Sequence, residues 1–174
     1  MVLTMALAAI SGCGNDAEVE TMGDERELRD PGAIEQFAES YTRAWSSGDP
    51  SSVASHFSEN GSLRINDGEP SIGREQLTET ARSFMSDLPD MVLTMDEIRA
   101  EGDTGDRFVY RWTLRGTNSG PGGTGNRVDI SGHEEWRIGE DGLIAESQGH
   151  MDLDDYESQL SGAAQEADQL EQPE

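Results

Sequence analysis

Four side chains of this 174-residue chain combine a titratable group with a spacing suited to moving protons. Glu134 shares its parity with Val128, Ile130 and Trp136, so in a strand all four point to one apolar face. A carboxylate on that face is stripped of water and its pKa rises, which prepares it as a general base. The alternative is an ion pair with Arg111 or Arg115 of a neighbouring strand, which would make Glu134 structural. His150 and Asp152 share a parity further on, with side chains about 6.5–7 Å apart along a strand. Together with His133 they could form a proton relay or half a metal site, or lie on a surface or dimer face. The chain holds only three His, at 56, 133 and 150, so a His-rich metal site is not expected. No metal and no other cofactor is required by these residues. Tyr41, Trp45, Tyr110, Trp112 and Trp136 would line a pocket if one is open, and form plain core if it is filled.

The elements that must position these groups follow from periodicity. Asp30-Pro31 supplies a cap and a first-turn proline, and Ile34, Phe37, Ala38, Tyr41 and Trp45 form one helical face ending near Ser47-Gly48. Asp49-Pro50 predicts a short second helix with Val53 and Phe57 inward and His56 at an ordinary position, stopped by Asn60-Gly61. Gly73 precedes a third helix whose stripe is Leu77, Ala81, Phe84, Met85 and Leu88, ended by Pro89. Beyond this the period is two: Phe108, Tyr110, Trp112 and Leu114 share a face, as do Val128, Ile130, Trp136 and Ile138. Asp141-Gly142 predicts a hairpin turn into a strand from Leu143 to about Leu153. Helices first and an antiparallel sheet curling over them make the class α+β. The glycine-rich stretch from Gly116 to Gly125 has no Lys and no following helix, so it is a flexible strand connection rather than a phosphate loop.

Composition narrows the partners. Twelve basic residues, all Arg, face 36 acidic ones, a net charge of -24. That field repels nucleic acid, and no basic patch overcomes it. A lysine-free acidic surface suits a saline environment, where about 1 M salt shortens the Debye length to about 3 Å; a GC-rich genome favouring Arg codons is the alternative. No run of about 18 apolar residues exists to span a membrane.

Residues 1–13 form a short apolar run ending Ile10-Ser11-Gly12-Cys13, followed by a polar sequel. This pattern reads as an export signal, and its end resembles the lipobox of prokaryotic lipoproteins, with Cys13 as the lipidated residue. The alternative is a short buried helix with an inert thiol. Residues 14–31 and 161–174 are acidic and poor in large apolar groups, predicting a disordered tether and tail around a domain at 32–160.

Several segments of that domain have a familiar order and spacing: Ala100-Glu101-Gly102-Asp103, Arg111 to Thr117, Thr124 to Val128, Ser131-Gly132, Trp136-Arg137-Ile138 and Asp141 to Glu146. With Ala44-Trp45, Gly48-Asp49, Gly73 and Pro89-Asp90, they resemble the SnoaL-like branch of the nuclear transport factor two-like superfamily over residues 33–160. The resemblance implies a cone-shaped curled antiparallel sheet with the amino-terminal helices in its concave face, an apolar pocket and a homodimer formed through the sheet. Catalytic members of the branch close polyketide rings with an Asp near the end of the last strand and a His on the preceding strand. Here the Asp position falls on Gly149, with His150 and Asp152 close by. The His position falls near Glu134, and the His that often follows the Gly-Thr pair is Asn118.

The expectation is therefore an exported domain, anchored through Cys13 on the outer side of the membrane, that binds a small apolar molecule. The alternatives are an enzyme (polyketide or ester cyclase, isomerase or hydrolase) using Glu134, His150 or Asp152, and a non-catalytic dimeric interaction module.

Overall fold

The computed structural model describes residues 31–162. The signal segment with Cys13, nearly all of the tether and the chain from 163 onward lie outside the described residues.

Helix α1 spans Pro31–Trp45 and buries Ile34, Ala38, Tyr41, Ala44 and Trp45 along one face. Helix α2 is shorter than the sequence predicts, Pro50–Ala54, with the Asp49 carboxylate capping it by accepting from Ser51 N–H. Phe57 belongs instead to strand β1, Phe57–Ile65, and Asn60-Gly61 lies inside that strand. The predicted helix stop is a break in the ladder: pairing with the last strand shifts register between Phe57 and Ser62. A Cβ at Gly61 would meet the Ile144 carbonyl at 2.6 Å, so close strand approach accounts for the glycine. A two-residue strand β2, Ser71–Ile72, leads into helix α3, Gly73–Asp87, which buries Leu77, Ala81 and Met85.

Strands β3 (Val92–Ala100), β4 (Arg107–Thr117), β5 (Arg127–Ile138) and β6 (Ile144–Met151) follow, then helix α4 (Leu153–Ser161). The sheet order is β2-β1-β6-β5-β4-β3. β1 runs parallel to β6 while every other pair is antiparallel, so the sheet is mixed rather than wholly antiparallel. The reason is topological: hairpins force antiparallel neighbours, whereas β1 and β6 come from opposite ends of the domain and no turn joins them. The six strands curl around α1 and α3 without closing, an α+β fold.

The predicted alternation holds where it positions the site. Phe108, Tyr110, Trp112 and Leu114 of β4 are buried, as are Val128, Ile130, Trp136 and Ile138 of β5. Between these residues and the helices lies one continuous core.

Candidate functional site

Glu134 sits midway along β5, opposite Tyr110 of β4 and Gly149 of β6. It is only 6 % exposed, and no salt bridge reaches it among the described residues. Arg111 pairs with Glu97 and Arg115 with Asp129, both on the outer face of the sheet. The ion-pair alternative is thereby removed. Glu134 is instead satisfied by neutral donors. Oε2 accepts from Ser147 Oγ at 2.6 Å, Trp136 Nε1 at 2.8 Å and the Tyr41 hydroxyl at 3.1 Å. Oε1 meets only the Tyr41 hydroxyl, at 3.3 Å. Burial pushes the carboxyl above its ordinary value, and the bonds from Ser147, Trp136 and Tyr41 offset part of that push. Burial and the adjacent Glu134 raise the Tyr41 phenol well above its usual value, so it stays neutral.

Three elements converge to build this network. Tyr41 comes from the inward face of α1, Trp136 from the next inward position of β5, and Ser147 from the partner strand opposite Trp136. Ser147 went unnoticed in the sequence. Counting back across the Asp141-Gly142 turn would have placed it near Trp136, but the register shift between Arg137 and Ile138 obscures that count.

Glu134 is the one carboxylate on the wall of an apolar cavity of about 50 Å³, bounded by Trp45, Leu63, Phe84, Met91, Trp112 and Gly149 among others. Of the aromatic residues expected to line a pocket, Trp45 and Trp112 do so. Tyr41, Tyr110 and Trp136 do not border it. They are fully buried behind the carboxylate, with the Tyr110 and Trp136 rings stacked at 4.7 Å and Tyr41 edge-on to both. Packing filled the space behind the carboxylate and left the cavity in front of it. Trp45 and Trp112 both border the cavity, and their Nε1 atoms are buried without a hydrogen-bond partner among the described residues. Gly132 makes room for Trp112, since a Cβ there would lie 2.5 Å from Trp112 Cζ2.

The other candidates are placed differently. His150 borders the cavity, but its ring stacks on that of His133, its cross-strand partner, with centroids 4.6 Å apart. Since His133 and Glu134 are consecutive on a strand, that ring pair lies on the opposite face of the sheet from the Glu134 carboxyl. Asp152 is exposed and lies past the end of β6 rather than on it; its carboxylate caps α4 by accepting from Asp155 N–H at 2.9 Å. The structure thus separates Asp152 from Glu134. His56 follows α2 and braces it, with Nδ1 2.9 Å from Ser52 O and Nε2 3.0 Å from Ser40 Oγ. Asn118 ties the β4–β5 connection together by donating to Asp87 O and accepting from Thr124 N–H.

Solved structures share this architecture. TsrD from Streptomyces laurentii is 28% identical, with a TM-score of 0.63 over 75% of this chain and 96% of that one. The epoxide hydrolase/cyclase-like enzyme SalBIII, described for pyran ring formation in polyether salinomycin, is 19% identical with a TM-score of 0.62 over 73% and 96%. A protein with a ketosteroid isomerase-like fold from Catenulispora acidiphila, solved with trimethylamine, is 16% identical with a TM-score of 0.62 over 72% and 92%. No curated protein matches the chain. The SnoaL-like domain matches residues 38–147, from the inward face of α1 through Ser147. With a match over more than half its length, and with the mixed, curled six-stranded sheet described above, the chain belongs to the SnoaL-like domain family.

Proposed function

We propose that the cavity binds a small, largely apolar molecule carrying at least one hydrogen-bond acceptor. The observation that carries this reading is a largely apolar cavity bordered by the Glu134 carboxyl and by two indoles, Trp45 and Trp112, whose N–H groups have no hydrogen-bond partner among the described residues. A buried unmet donor costs about 1–3 kcal/mol, which an acceptor on the ligand would recover. A water needs about 10–15 Å³ of such space, so about 50 Å³ suits a ligand of a few heavy atoms. Larger ligands would require Met91 and Met151, both unbranched and adaptable, to swing aside. Cyclohexanone is a suitable probe, its carbonyl oxygen being the acceptor. Titration should change the fluorescence of the cavity tryptophans and saturate. If Trp112→Phe binds it as well as the native chain does, the reading fails.

Glu134 favours a second reading, acid–base catalysis. A carboxyl raised above its ordinary value by burial, in a cavity bordered by two indoles with spare donors, has the parts needed to remove a proton next to a carbonyl and stabilise the enolate. Deuterium incorporation into cyclohexanone in D₂O, lost in Glu134→Gln with binding retained, would support it. Binding without exchange would leave a binding protein.

We further propose export and anchoring through a lipid on Cys13, supported by the apolar run and its lipobox-like end. Detergent-phase partitioning should vanish in Cys13→Ser. A homodimer through the outer sheet face is supported by charge: Arg107, Arg111, Arg115 and Arg137 are interleaved with Glu97, Asp129, Glu135 and Glu146, a balanced patch on a chain of net charge -24. Sedimentation giving a monomer mass at micromolar concentration would reject it.

A further inference from the structure

Directly behind Glu134, on the outer face of the same strand, three potential ligands converge. His133 of β5 and His150 of β6 are cross-strand partners, their rings 4.6 Å apart between centroids and 17° from parallel. Glu135 follows His133 by two residues on the same face, and its Oε1 lies 4.0 Å from Nε2 of each ring. One ligand atom from each of the three lies within 4.8 Å of the other two. At 4.0 Å neither imidazole is hydrogen-bonded to that carboxylate. Two half-buried rings are thus stacked side by side with their ring nitrogens uncommitted among the described residues.

We propose that His133, Glu135 and His150 bind a divalent transition cation, zinc above all, with one coordination position left to water. Two imidazoles and a carboxylate form a donor set suited to zinc, and three protein ligands with an open fourth position is the arrangement of reactive rather than closed sites. Zinc bonds of about 2.0–2.1 Å in a tetrahedron place ligand atoms about 3.3 Å apart. The trio must therefore contract by about 1 Å. Imidazole χ2 torsions are soft and the Glu135 side chain is half-exposed, so the rings can splay and the carboxylate can close without moving either strand. The nearest competing cation is occupied, since Arg111 is held by Glu97 at 3.3 Å. The strongly negative chain also enriches cations near its surface. The site is complete within one chain, and a bound ion would tie β5 to β6 immediately behind Glu134 and Ser147. Sequence spacing alone pointed away from a metal, because it showed three scattered His and not the cross-strand register that brings two of them together.

The test is zinc titration of the full-length, untagged chain carrying Cys13→Ser, in chelator-treated buffer, followed by calorimetry. One zinc per chain is expected, with a rise in Tm. His133→Ala and His150→Ala should each weaken binding at least about tenfold, the loss that removing even an outer-shell partner can cause. Glu135→Gln should weaken it too, with the metal-free Tm unchanged. Binding that survives both His variants belongs to the acidic surface and overturns the proposal. Half an equivalent of zinc with a doubled mass overturns it in favour of a site shared by two copies. Should a variant fail to fold, imidazole NMR of the native chain decides: zinc should shift the His133 and His150 signals and leave His56 in place. Equal shifts at all three, or at none, overturn the proposal.

Discussion

Replacing Glu134 by Gln isolates the cost of housing an ionisable group in this core. The amide keeps the shape, its oxygen can accept from Ser147 and Trp136, and its nitrogen can donate to the Tyr41 hydroxyl. What disappears is the proton. Because burial raises the folded pKa above the ordinary 4.5, the folded state holds that proton more tightly than the unfolded chain does. Stability from this group is therefore fully present below the ordinary value, falls as pH climbs through the raised folded value, and is flat above it. Each pH unit between the two values is worth about 1.4 kcal/mol. For a domain of this size that is about 4–6 °C of Tm. Thermal unfolding of both chains from pH 4.5 to 8, at one salt concentration, cancels the many surface carboxylates in the difference. The two should melt together at pH 4.5, and Glu134→Gln should become progressively the more stable as pH rises. A pH-independent difference, or one of opposite sign, would mean the folded protein stabilises the carboxylate ion, and the reasoning from burial would be refuted.

Ser147→Ala removes the shortest bond to the carboxylate, 2.6 Å, and should cost about 1.5–3 kcal/mol at pH 8 but less at pH 4.5, read from urea midpoints at the two pH values. Gly132→Ala would drive a methyl to within 2.5 Å of the Trp112 ring and 2.6 Å of the His150 carbonyl, so a loss of about 1–3 kcal/mol is expected in denaturant unfolding. Asp152→Ala should lower stability by about 1 kcal/mol through loss of the α4 cap while cyclohexanone binding stays unchanged; a loss of binding would return Asp152 to the site. If the acidic, lysine-free surface is adapted to salt, raising NaCl to about 1 M should raise Tm, and a flat response would favour the codon-usage explanation.

What could be read from the sequence was whatever depends on local period. The stripes of α1 and α3 and the inward faces of β4 and β5 all lie where their spacing predicts, and Glu134 is buried because its parity is that of Trp136. Strand β1 was hidden because Asn60-Gly61 reads as a stop, whereas in the fold it sits where the ladder slips against β6. Strand β3 was hidden by its own irregularity, a register shift between Met95 and Glu97. Helix α4 was masked by the strand pattern running into it, and only the Asp152 cap marks the change. The site's partners were harder still. Tyr41 lies 93 residues from Glu134, and no local pattern encodes that contact.

The uneven sharing of donors between the two oxygens of Glu134 has a stereochemical consequence. Oε2 accepts from an indole N–H, which can only donate, and also from the Ser147 and Tyr41 hydroxyls. A proton on Oε2 has to share that oxygen with the Trp136 indole hydrogen and reverse the Ser147 bond, whereas Oε1 meets no donor but the Tyr41 hydroxyl among the described residues, so the acid form favours its proton on Oε1. There the Tyr41 hydroxyl, 3.3 Å away, can turn and accept it. The carboxyl therefore favours one of its two oxygens as the place where the proton comes and goes. A prochiral carbon held beside it would exchange one of its two hydrogens in preference to the other, so any proton transfer at this site would favour a single face.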